Sequence, residues 1–179
     1  RILGYPQDLE HSYGTVRMEI GEMQEGDVAG LAVFQDPYAF IGVKVIDGQK
    51  RLVYTTAPVV SSAAKSEQIG EVVTEQVIYL RAIANYNTSR ASFYYSLDNK
   101  TYTKFGDDLN MKYDLTVFTG NKFAIFNYAT VQTGGYVDVD WFSTEPEFDE
   151  AFYFDDSFEG YSEESLTLIE LTINGKEEL

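Results

Sequence analysis

Two carboxylates two residues apart, Asp138 and Asp140, sit in the strand-like run Tyr136 to Phe142. On an extended backbone they share one face, roughly 7 Å apart by strand rise. Two carboxylates flanking a bond at a defined separation can hydrolyse a glycosidic linkage when burial raises the pKa of one of them. The chain has 29 acidic residues, however, so acids alone discriminate little, and polar alternation on a sheet face, or a hydrogen-bonded anchor for a neighbouring loop, is the stronger account of the pair. No residue is assigned a catalytic role on this basis. His11 is the single histidine and cysteine is missing, which weighs against a Ser-His-Asp triad and against histidine- or cysteine-ligated zinc. His11 itself reads as an exposed loop residue. For a structural calcium the densest carboxylate pairs are Asp107-Asp108 and Asp155-Asp156, and neither follows the spaced Asp-x-Asp-x-Asp-Gly loop. A phosphate loop, a dinucleotide fingerprint and a nucleophile elbow are all missing, so no other cofactor is expected.

Recognition needs a different set of groups. Sugars present C–H faces that stack on aromatic rings, and hydroxyls that need polar partners. Strand alternation assigns Lys44, Tyr54, Tyr79, Arg81, Tyr94, Asn127 and Asp138 to non-core positions, and these form the candidate carbohydrate-binding set. For each tyrosine, ordinary packing is the simpler role. Strand order, which periodicity does not supply, decides whether the set converges.

The elements that must position these residues are strands. Thr15 to Ile20 alternates, with Val16, Met18 and Ile20 on one side. Ala29 to Phe34 and Phe40 to Ile46 follow, and Asp47-Gly48 is a two-residue hairpin signal leading into Gln49 to Thr55. Val72 to Asn85 reads as one long or broken strand, and Ala91 to Leu97 as another. Asp98-Asn99 turns the chain into Thr101 to Phe105, and Phe123 to Tyr128 and Tyr136 to Phe142 complete the set. In that last strand Val137, Val139 and Trp141 are expected in the core, with Tyr136, Asp138 and Asp140 facing out. Ser61 to Gln68 is the nearest approach to a helix and reads better as a loop or single turn. This spacing predicts an all-β, antiparallel sandwich or barrel over residues 1–144.

Residues 145–179 form an acidic, aromatic tail expected to pack back on the sandwich, with Ser165 to Ile173 as a late strand. From Glu145 onward twelve acids stand against one base, Lys176, so this stretch holds −11 of the net −16. Such a charge repels phosphate backbones, which argues against nucleic-acid and membrane partners. No apolar run reaches the length of a membrane span.

Four segments, in order, resemble the C-terminal sandwich of family 43 glycoside hydrolases of the β-xylosidase and α-L-arabinofuranosidase type. They are Glu25 to Gln35 continuing into Tyr38 to Val43, Phe93 to Tyr102, Phe118-Thr119-Gly120 with Phe123 to Thr130, and Thr133 to Phe142. Asn99 stands where that family usually has Gly, and Tyr102 where it usually has Trp. The resemblance implies a concanavalin-A-like jelly roll that is itself non-catalytic, the catalytic acids sitting on a separate five-bladed propeller of the parent chain. It implies packing on that propeller, with the loop Phe34, Gln35, Asp36, Pro37 and Tyr38 at the mouth of the active-site pocket. Plant cell-wall polysaccharide or oligosaccharide is the implied glycan, as the substrate of a xylan-degrading parent or as the ligand of a stand-alone lectin-like module. A bacterial source fits the resemblance, in an extracellular or a cytoplasmic location.

Overall fold

The computed structural model describes residues 10–112 and 120–145. Within them the chain forms eleven strands and no helix: β1 His11–Glu19, β2 Asp27–Phe34, β3 Tyr38–Ile46, β4 Gln49–Ala57, β5 Ser66–Val72, β6 Val77–Asn85, β7 Arg90–Ser96, β8 Thr103–Lys104, β9 Leu109–Asn110, β10 Lys122–Ala129 and β11 Asp138–Ser143. One sheet runs β11-β1-β6-β7-β8, with β9 also on β7, and the other runs β10-β2-β3-β4-β5. Every pairing is antiparallel. The expected two-sheet sandwich is therefore what forms. The tail beyond Pro146, including Ser165 to Ile173 and Asp155-Asp156, lies outside the described residues.

Each central strand turns one row of side chains toward the facing sheet. Val16 and Met18 of β1, Ile78 and Leu80 of β6 and Phe93 of β7 meet Leu31 and Val33 of β2, Ile41 and Val43 of β3 and Leu52 of β4, all essentially without solvent contact. Burying each such side chain contributes about 1.5–3 kcal/mol. Tyr54 belongs to this inner row, which corrects its assignment to a non-core position. Leu52 and Tyr54 alternate inward on β4 while Val53 and Thr55 point outward. The Tyr54 ring stands edge-on to Phe93 at 5.4 Å, and its hydroxyl donates to the Asp107 carbonyl at 2.8 Å.

Turn chemistry sets the register. Asp47 and Gly48 both adopt positive φ, 52° and 71°, as a two-residue hairpin joining Ile46 to its partner Gln49 requires. Gly26 has φ 82°, and Asp27 caps the same turn by accepting the Gln24 N–H at 2.8 Å.

Two stretches differ from expectation. Val72 to Asn85 is divided: β5 is the edge of one sheet and β6 the centre of the other, with Val73 N donating to Lys50 O at 2.8 Å at the crossing. The strand β5 begins inside the stretch read as a loop because its residues are almost all exposed, so no alternation marks it. His11 lies in β1 rather than a loop, with Nε2 2.7 Å from Asn85 Nδ2.

Replacing Phe93 with Ala removes the ring at the centre of both sheets. Urea unfolding is expected to show a loss of about 3–5 kcal/mol.

Candidate functional site

The outer face of the sheet β11-β1-β6-β7-β8 is set by register. Across it, one row reads Ser143, Thr15, Arg81, Tyr94, Lys104, and the next reads Trp141, Arg17, Tyr79, Ser96. Of the seven sugar-binding candidates, Tyr79, Arg81 and Tyr94 meet in these rows, and Asp138 lies at their margin opposite Glu19. The remaining three fall elsewhere. Lys44 is on the outer face of the other sheet, paired with Glu67 at 2.8 Å; Asn127 is exposed on the edge strand β10; Tyr54 is in the core.

The structure adds residues that alternation did not assign to this face. Trp141 is the first: it is buried as expected, at 8% exposure, but on the outer side of its sheet rather than in the cluster between the sheets. Arg17 pairs with Trp141 but Met18 pairs with Val139, so Asp140 is an extra residue in β11. This bulge shifts the side-chain phase, placing Trp141 outside beside Tyr79 with ring centroids 6.0 Å apart. Val139, expected in the core, is 43% exposed at the sheet edge, while Val137 does pack on the core.

Arg17 sits between the carboxylates of Glu19 at 2.9 Å and Asp140 at 3.1 Å. Burial opposes its charge, but the hydrogen bonds to Glu19 and Tyr79 and the charge of Asp140 outweigh it, so its pKa is raised. Asp140 thus meets a guanidinium and Asp138 is exposed, the reverse of the apolar enclosure that an acid catalyst requires.

Arg81 is held differently. Its Nε donates to Thr15 Oγ1 at 2.9 Å, and its guanidinium carbon lies 3.7 Å from the centroid of the Tyr102 ring. Burial pushes the Tyr102 phenol up to about 12 against the pull of Arg81. The turn after β7 positions Tyr102: Asn99 takes φ 58°, and its side-chain oxygen accepts the Tyr102 hydroxyl at 2.7 Å. Asp98 ties the same turn, accepting the Lys100 and Thr101 amides at 2.8 Å and Ser96 Oγ at 2.9 Å. The amides of Thr101 and Lys100 and the Ser96 hydroxyl bring its carboxyl down to about 2.

The opposite outer face, on β10-β2-β3-β4, is apolar. A cleft of about 380 Å³ is lined by Phe34, Tyr38, Phe40, Phe126 and Tyr128, with Lys65 at its rim. Phe40 and Phe126 meet edge-on at 4.7 Å above Gly30, where an added Cβ would lie 2.3 Å from the Ile41 carbonyl oxygen. The loop Phe34 to Tyr38 borders this cleft. Phe34 is 41% exposed, while Gln35 and Tyr38 are buried. Asp36 anchors the loop by accepting the Val60 amide at 2.7 Å, and the Phe34 ring lies 5.8 Å from that of Tyr38.

Lys104 occupies the Asp108 carboxylate at 2.7 Å, and among the described residues no group of three or more His, Cys, Asp or Glu is placed to hold a metal.

A family model described as the β-xylosidase C-terminal concanavalin A-like domain matches residues 4–145. The chain belongs to that family. It is 23% identical over 143 residues to a β-xylosidase of Formosa agariphila, covering 80% of this chain and 22% of that protein. Among solved structures it resembles a bifunctional GH43-CE protein of Bacteroides eggerthii, with TM-score 0.71, 36% identity, and 79% of this chain against 18% of that one. A second is a GH43 glycoside hydrolase engineered to display endo-xylanase and exo-arabinofuranosidase activity, with TM-score 0.69, 30% identity, and 74% of this chain against 28% of that one. The chain thus spans less than a third of each of these relatives, and the part matched is the C-terminal concanavalin A-like domain.

The depressed Asp98 pKa sets a sign. Its contribution to stability is present above the unfolded carboxyl value, about 4, and is lost as pH falls through about 2. Asp98→Asn is expected to melt below the parent chain at pH 6, with the gap closing as pH falls from about 4 to 2.

Proposed function

We propose that this chain is the non-catalytic accessory domain of a xylan- or arabinoxylan-degrading family 43 glycoside hydrolase, packed on the parent's catalytic propeller. The observation that carries this reading is the apolar cleft bordered by the Phe34 loop. A contiguous apolar patch on one outer face of a sheet is typical of a face that another protein surface covers. The chain's coverage of less than a third of its relatives supports a large neighbouring domain in the parent. Phe34, exposed on a loop anchored through Asp36, is then the side chain offered to the mouth of the catalytic pocket.

A second reading concerns the opposite face. Tyr79, Tyr94 and Tyr102, beside the buried Trp141 and interleaved with Arg17, Arg81 and Asp138, combine ring surfaces for sugar C–H faces with donors and acceptors for hydroxyls. This face holds a glycan chain, and the same surface would serve a stand-alone lectin-like module.

Two measurements test these readings. Alone, the chain is expected to hydrolyse neither aryl β-xylosides nor aryl α-arabinofuranosides, and Phe34→Asp is expected to weaken its binding to the separately produced catalytic domain about tenfold or more. Turnover by the isolated chain, or unchanged binding, would contradict the accessory role. Because Trp141 is the single tryptophan, its emission reports on the glycan face. Titration with xylo-oligosaccharides should shift that emission, whereas silence with these, with arabinan fragments and with mixed-linkage glucans would remove the second reading.

A further inference from the structure

We infer that the glycan face contains an anion subsite centred on Arg81, built to take the carboxylate of a uronate residue in the bound glycan; this rests on the glycan-binding reading of that face. The chain carries 29 acids against 13 bases, and carboxylates claim two of its partly buried cations, Arg17 and Lys44, and the exposed Lys104. Arg17 has Glu19 and Asp140 within 3.1 Å, Lys44 has Glu67 at 2.8 Å, and Lys104 has Asp108 at 2.7 Å. Arg81, like Arg51, has no such partner among the described residues. It lies partly buried in the central strand, and among the described residues no carboxylate comes within 4.0 Å of it.

Two neighbours hold Arg81 in place. Nε is spent on Thr15 Oγ1, and one π face is spent on the Tyr102 ring, so the guanidinium is oriented without being neutralised. Side-chain ordering is thereby already achieved before a ligand arrives, and a planar guanidinium presents paired N–H donors that match a carboxylate. The neighbouring Tyr94 and Tyr79 flank Arg81 on the sheet, where they can take the ring faces of the sugar carrying that carboxylate. Of the acids near the face, Glu19, Asp138 and Asp140 gather at the β11 end around Arg17, and Asp98 in the turn beside Tyr102 is held by the Lys100 and Thr101 amides.

The test is isothermal titration of the whole chain with a glucuronate-bearing xylotetraose, the same oligosaccharide after carboxyl reduction, and an oligogalacturonate. The acidic xylotetraose is expected to bind about tenfold or more tighter than its reduced form, a preference that weakens with added salt. In Arg81→Gln that ratio is expected to fall toward one, and in Arg81→Lys, which keeps charge but loses the fork, to lie between. Thermal melting of both variants confirms that they fold. Preferential binding of oligogalacturonate would support the same subsite with a pectic rather than a xylan source. Equal affinity for the acidic and reduced xylotetraose would overturn the inference while leaving the glycan face intact. A preference that survives Arg81→Gln would overturn it too, and no binding of any ligand would remove the inference together with the glycan reading.

Discussion

In a two-layer sandwich each strand buries one row of side chains against the facing sheet and leaves the other row outside. That constraint governs this molecule. The inner rows are spent on one core, closed across the sheets by the contact between Phe93 and Tyr54. Whatever the domain recognises must therefore be written in the outer rows and the loops. The two outer faces differ in kind: one is apolar around Phe40 and Phe126, and the other carries guanidiniums, phenols and an indole.

The apolar face explains a feature that is otherwise costly for a separate domain. Gly30 and Gly42 face each other across β2 and β3, and their lack of side chains leaves room over which the edge-on pair of Phe40 and Phe126 sits. The result is a shallow apolar concavity beside an anchored loop, which suits a protein surface. The polar face is organised around fixed charges instead. Arg17 is neutralised in place, Arg81 is oriented by a hydroxyl and a ring, and Tyr102 is brought over the sheet by the Asp98–Asn99 turn.

Much of this was legible in the sequence, for identifiable reasons. Central strands such as β2, β3 and β7 alternate or run continuously apolar, and Asp47-Gly48 and Gly26-Asp27 mark turns whose positive φ values the structure contains. The family resemblance rested on the same segments. Misreadings arose where period two breaks or where burial leaves no mark. The bulge at Asp140 turned Trp141, still buried, to the outer side of its sheet, and Tyr54 resembled an outer residue because nothing local shows that Leu52 faces inward. The edge strand β5 carried no alternation at all. Convergence of Tyr79, Arg81 and Tyr94 depended on β6 pairing with β1 and β7, and strand order is a long-range property that no window of sequence contains.

The central claim is a division of labour, with the Phe34 side covered by the catalytic domain and the Arg81 side left open to glycan. Hydrogen–deuterium exchange of the chain, alone and mixed with its catalytic domain, tests it most directly. The account predicts slowed exchange at Phe34 to Tyr38 and along β10, with the turn at Asp98 to Tyr102 and β11 unchanged. Slowed exchange at that turn and β11, with the Phe34 loop unaffected, would contradict it.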